Sequence, residues 1–168
     1  VLLDALLHIP QDIRQSLSLA VHGANLDIQT NELKERITNR LDQLEGVVSM
    51  RGPYEAQQLP ALMAECDWVV MPSIWWENSP VVIQEAIAYG RPLIGSAIGG
   101  TREKIEGLAG LTFDARNPVS LATAIMKAIE PECFDGWYEK LNSGTSLDQH
   151  LQLIDSLMSG PESAAVGH

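Results

Sequence analysis

Apolar residues recur along this chain in two rhythms that keep trading places. Val1 to His8 has helical apolar spacing and stops before Pro10. Leu17 to His22 is a short apolar run closed by Gly23, which predicts a strand. Asn31 to Glu45 predicts an amphipathic helix, with Leu33, Ile37, Leu41 and Leu44 on one face and charges elsewhere. Val47 to Met50 predicts a strand running into Arg51-Gly52-Pro53, and Glu55 to Cys66 a helix. Trp68-Val69-Val70-Met71 is apolar without a break, as expected of a parallel strand covered on both faces. Pro80 to Tyr89 predicts a helix ended by Gly90, in the favoured position for a left-handed cap. Pro92 to Ser96 predicts a strand, followed by Gly99-Gly100 and a short helix. Leu111 to Phe113 predicts a last short strand and Val119 to Ile129 a helix, with further helical stretches after Pro131.

Strand and helix alternate from Leu17 to Ile129. That alternation predicts an α/β fold: a parallel sheet covered by helices on both faces. Such sheets bind ligands beyond the carboxyl ends of their strands, so the informative loops open at Gly23, Gly52, Ser73 and Gly99. No internal repeat interrupts the pattern. Residues 1–158 are expected to form one domain. The tail from Ser159 to His168 reads as disordered or as an addition to the natural chain.

Composition narrows the partners. The chain has 168 residues, enough for one domain with a real core. Its 22 acidic and 11 basic residues give a net charge of −11, which argues against nucleic acid as a partner. A small phosphate-bearing ligand needs only a few donors and stays open. Cys66 and Cys133 stand far apart without metal spacing and read as reduced, packed thiols of an intracellular protein. The four histidines, His8, His22, His150 and His168, show no ligand spacing either, so no metal is expected. No Ser-His-Asp or Cys-His arrangement can be read from spacing. No apolar run reaches membrane-span length, and no basic segment precedes Val1-Leu2-Leu3 as in a signal peptide. The chain begins without Met, already inside a helical pattern, and is expected to be a fragment.

The chemistry concentrates between Pro72 and Ala86. Ser79 suits an N-cap and Pro80 the first helical position. The N–H groups of Val81, Val82 and Ile83 then fall in the first turn, where the helix dipole favours an anion such as a pyrophosphate. Every strand-to-helix junction has such groups, and most bind only water. Glu85 adds weight because the helix is otherwise almost wholly apolar. At about 100° per residue Gln84 and Ala88 share one arc, with Glu85 at its border with the buried side. A carboxylate there could accept from the two hydroxyls of a vicinal diol. Equally, Gln84 and Glu85 could form a solvated stripe. Glu77, ahead of the helix, could accept from sugar hydroxyls or simply complement the dipole. Trp75 and Trp76 could wall a sugar site or pack between domains. Gly52 could let a base approach the backbone with Tyr54 flanking it, although a plain turn explains both. The same two readings hold for Gly23 and for Gly99-Gly100-Thr101.

Glu77 and Glu85, then Ala86, Gly90, Pro92 and Gly99-Gly100 with Glu103, resemble the retaining glycosyltransferases of family 4, which have the GT-B fold. The run from Pro72 to Ala86 is close to the pattern Pro-Ser-x-x-x-Glu-Asn-x-Pro-x-x-x-x-Glu-Ala of many bacterial members, and the similarity extends from about Val1 to Ile129. The resemblance implies that the chain is the Rossmann-like, donor-binding half of such an enzyme, with a nucleoside-diphosphate sugar as ligand. It implies that Glu85 binds the ribose hydroxyls and that Glu77, the catalytic candidate, holds the donor sugar. Asn78, Ser79, Pro80, Val81 and Val82 would approach the sugar and diphosphate. Gly23, Gly52 and Tyr54 would line the nucleotide side. It implies transfer with retention and without metal or other cofactor, to a glycan or lipid-linked glycan acceptor, on the cytoplasmic side and at the inner membrane face if the other half docks there.

Two departures matter. Many members have Phe-Gly or a similar pair after the first glutamate, where this chain has Asn78-Ser79. The Arg and Lys that the family supplies to the diphosphate would lie upstream of Val1, as would the first strand of this domain and the acceptor-binding domain. Without that central strand, the edges at Leu17–His22 and Trp68–Met71 would close on each other, take a second copy of the chain between them, or leave the fragment marginally stable. A nucleotide-sugar epimerase of the same fold is the alternative enzyme, favoured by a catalytic His or acid at the sugar. A non-catalytic interaction domain is the other alternative, favoured if Glu77 or Glu85 were engaged by protein groups.

Overall fold

The computed structural model describes residues 1–24, 26–74, 81–99, 102, 105 and 110–144. Five strands are parallel throughout. β1 (Leu19–His22) pairs with β2 (Val48–Gly52), and β3 (Val69–Met71), β4 (Leu93–Ser96) and β5 (Leu111–Phe113) pair in that order. Among the described residues they are accompanied by α1 (Leu2–His8), α2 (Gln11–Arg14), α3 (Asn31–Gln43), α4 (Leu59–Glu65), α5 (Val81–Ala88), α6 (Pro118–Ala128) and α7 (Pro131–Gly144). This is the expected α/β architecture of parallel strands flanked by helices.

Alternation along the strands explains why helices cover both faces of the β3–β4–β5 sheet. Val70, Ile94 and Phe113 point into one core with α1 and α6, where Ala5, Leu6, Leu121 and Ala122 are buried. Val69, Met71 and Leu93 point the opposite way, against Ile83 and Ala86 of α5 and against Ile105. Each fully buried aliphatic side chain, such as Ile83, Ile94 or Leu121, contributes about 1.5–3 kcal/mol on transfer from water.

Local chemistry sets the helix ends. α1 stops at Ile9, which is extended (ψ 135°) because Pro10 follows. The Thr30 hydroxyl accepts from Leu33 N at the start of α3 (3.4 Å), and the Asn117 carbonyl accepts from Val119 N and Ser120 N at the start of α6 (3.1 Å each). α5 ends as its sequence predicts. Gly90 is left-handed (φ 65°), Gly90 N donates to Ile87 O and Arg91 N donates to Ala86 O.

The structure departs from the sequence expectation in three places. The Glu55 helix opens as a 3-10 turn (Ala56–Gln58) before α4, with Gln58 Oε1 accepting from Glu55 N at 2.8 Å and Pro60 in the first turn of the α-helix proper. α2 was not expected, since four residues after a proline carry too little periodicity to be read. The sheet also comes in two parts. Among the described residues β1 pairs with β2 only and β3 with β4 only, so the two facing edges do not close on each other. Helix α1 packs against both α3 and α6, and one continuous core holds Leu19 and Val48 from the first sheet with Ile94 and Phe113 from the second. An ion pair from Arg40 Nε to Asp4 Oδ1 (2.7 Å) further ties α3 to α1 and holds the Asp4 carboxyl below its ordinary range.

Candidate functional site

Within each sheet the strands run the same way, so the loops from its strands to the following helices emerge at one end of that sheet. Ile28, Tyr54 and Ile74 are exposed large apolar residues on these loops, and Val81 is exposed at the start of α5.

At the ends of β1 and β2 the backbone itself is open. Gly23 (φ 69°) and Gly52 (φ 70°) both take the left-handed conformation that favours glycine, and a Cβ on either would meet nothing within 4 Å. Gly23 N donates to Gly52 O at 2.8 Å, which joins the two strand ends. The pairing register skips there, with Val21 opposite Met50 but His22 opposite Gly52. Tyr54 follows at once. Its half-exposed ring meets the His22 ring edge to face, centroids 5.7 Å apart and planes at 89°. Gly23, Gly52 and Tyr54, three of the residues expected at the nucleotide side, therefore do come together. His22 belongs with them, although the sequence reading considered it only as a metal ligand. The available signal was its position as the last residue of an apolar strand, directly before Gly23.

The second part of the site is the start of α5. Val81 is 59% exposed in its first turn, where the amides of Val81 and Val82 have no partner within the helix. One turn on, Glu85 is half-buried, and its carboxylate has no hydrogen bond or ion pair among the described residues. Burial pushes its carboxyl above the ordinary range. On the same arc Ala88 is 2% exposed, and Gln84 is half-buried and partnered. Glu77, Asn78, Ser79 and Pro80, with Trp75, Trp76, Gly100, Thr101 and Glu103, lie outside the described residues. Past β4, Gly99 is also left-handed (φ 54°). Among the described residues no three His, Cys, Asp or Glu side chains gather where a metal could be held, and no helix is long and apolar enough to cross a membrane.

Similarity to known proteins accords with this layout. A probable glycogen synthase from Methanocaldococcus jannaschii is 31% identical over 74 residues, covering 44% of this chain and 14% of that protein. A D-inositol 3-phosphate glycosyltransferase from Paenarthrobacter aurescens is 35% identical over 83 residues, 49% of this chain and 20% of that protein. Among solved structures, Anabaena HepE in complex with UDP-glucose superposes with a TM-score of 0.68 at 22% identity, over 94% of this chain and 43% of that one. WaaG, a glycosyltransferase of lipopolysaccharide biosynthesis, superposes with a TM-score of 0.68 at 19% identity, over 96% of this chain and 42% of that one. The chain thus spans less than half the length of these proteins. Its fold is the Rossmann-like half of a GT-B architecture. The family model for glycosyl transferases group 1 matches residues 1–131, most of the chain, and the chain belongs to that family.

Proposed function

We propose that this chain is the donor-binding half of a retaining, family 4 glycosyltransferase that moves a sugar from a nucleoside diphosphate to a glycan or lipid-linked glycan. The observation that carries the reading is Glu85. Glu85 is a half-buried carboxylate with a raised pKa and no partner among the described residues, so a ligand can supply the donors that partial burial withholds. A ribose offers two adjacent hydroxyls. Val81 and Val82 present first-turn amides to the diphosphate, and Gly23, Gly52 and Tyr54 border the base. By resemblance, Glu77 holds the donor sugar and Asn78, Ser79 and Pro80 lie along the sugar and diphosphate. The acceptor hydroxyl attacks the anomeric carbon on the face that the nucleotide leaves. The carbon–oxygen bond to the diphosphate breaks, and the hydroxyl proton passes to the leaving diphosphate oxygen. No metal takes part in this reading. The acceptor would bind a second, N-terminal half, which would also carry any peripheral contact with the cytoplasmic face of a membrane.

A non-catalytic interaction domain would be the better reading if protein groups engaged Glu77, which lies outside the described residues, or Glu85. Among the described residues Glu85 is not engaged. The chain alone is expected to transfer no sugar, because neither the acceptor half nor the diphosphate cations are supplied. Titration with a panel of nucleoside diphosphates, followed by NMR, tests the reading. Weak binding is expected, further weakened by Glu85→Ala by about 1–3 kcal/mol through loss of charged hydrogen bonds. Unchanged affinity in that variant removes the ribose role.

A further inference from the structure

His22 closes β1 in a place where an aliphatic residue would serve the fold better. Its Nδ1 is buried and has no hydrogen-bond partner among the described residues. An imidazole nitrogen is a donor or an acceptor in either tautomer, so leaving it unmet opposes folding. A valine or leucine would extend the apolar run of Leu19 and Val21 without that cost. What the imidazole supplies instead is the edge-to-face contact with Tyr54. At 89° and 5.7 Å this is the favoured geometry for two aromatic rings, and it fixes the plane of the phenol. The remaining surface of Tyr54 stays accessible, with 40% of the residue exposed, beside two glycines that leave open space where side chains would stand. A shelf of bare backbone next to a ring held at a set angle suits a flat, aromatic ligand group.

We infer that His22 is a positioning residue for the nucleobase of the donor: it acts through Tyr54, whose ring it holds as one wall of the base site. This rests on the donor-binding reading above and adds a residue that the family resemblance did not assign. Two substitutions separate its parts. His22→Phe keeps a ring against Tyr54 and removes the unmet nitrogen. His22→Ala removes the ring.

The test uses the 168-residue chain carrying fluorotyrosine and titrated with UDP, ADP and inorganic pyrophosphate, with the Tyr54 resonance assigned by Tyr54→Phe. In the parent chain and in His22→Phe, at least one of the two nucleotides should shift the Tyr54 resonance, and pyrophosphate should not. In His22→Ala the same nucleotide should bind about 3- to 10-fold more weakly, the loss expected for one aromatic contact. Pyrophosphate affinity should be unchanged, whereas a general structural defect would lower both. Nucleotide binding that is equal in His22→Ala and the parent overturns the positioning role and leaves the donor-binding reading standing. Absence of any nucleotide binding overturns both. A His22→Phe variant that folds but loses the nucleotide as His22→Ala does would show that the ring contact is not what matters.

Discussion

Glu85 sets stability against binding at a single side chain. Its carboxyl titrates above the value it would have in the unfolded chain, because burial disfavours the charged form. The sign follows from linkage. The stability associated with this group is fully present below the unfolded pKa and is lost as the pH rises through the folded one. Glu85→Gln should therefore make the ligand-free chain more stable at neutral pH. That advantage should shrink as the pH falls through the carboxylate range. The same substitution should weaken nucleotide binding. Thermal melts of both chains across pH, without ligand, measure the first effect. A Glu85→Gln variant less stable than the parent at neutral pH would mean that the carboxylate has a structural partner. Part of this was legible in the sequence: one acid in an apolar helix stood out, but whether it faced water depended on what packed around Ala88. His22 was legible only as a histidine closing an apolar run, because its contact with Tyr54 joins residues that are 32 apart in the chain.

At the scale of elements, the sequence was clear where periodicity and punctuation agreed. α5 ends at Ala88 and is closed by left-handed Gly90, and β3 to β5 follow the apolar runs to within a residue or two. It was less clear where tertiary contacts decide. α3 stops at Gln43 rather than Glu45 because Leu44 turns inward to be buried in the core and Gly46 reverses the chain at φ 80°. Gly110 shows how closely one element relies on its neighbour. A Cβ there would stand 2.8 Å from the Leu93 carbonyl oxygen of β4 and 2.6 Å from Cγ2 of Ile105, which is fully buried. The carbonyl cannot rotate away without disturbing β4. Gly110→Ala should destabilise the chain by about 1–3 kcal/mol through overpacking, read as a lower denaturant midpoint. A midpoint equal to the parent's would mean that the entry into β5 is looser than the structure indicates. Nothing in the local sequence announces this requirement, because the neighbours that impose it come from β4 and Ile105.

The whole molecule is organised around a separation between two half-sheets. β1 and β3 each pair on one side only among the described residues, yet α1 sits under both sheets in one core and is anchored on one side to α3 and on the other to α6. A helix packed in one core with two sheets, each with an unpaired edge among the described residues, is what a central parallel strand leading into that helix would leave behind, since crossover connections return each helix onto its own sheet. We therefore propose that a preceding segment of the natural protein supplies that strand. The order of strands in the sheet would then read β2, β1, the added strand, β3, β4, β5. The periodicity of the present chain could not reveal this, because each half-sheet satisfies its own pattern. Open edges carry unpaired N–H and C=O groups that accept another extended chain. The expected outcome is a chain that self-associates by sedimentation at high concentration and gains thermal stability when its natural upstream residues are restored. In the longer chain the association should be lost, and amide exchange should slow in β1 and β3 far more than in β5, whose outer edge the added strand cannot reach. Equal exchange in β1 and β3 with and without the upstream residues would show that no strand enters between them. The two sheets would then be held together by α1 and its core alone.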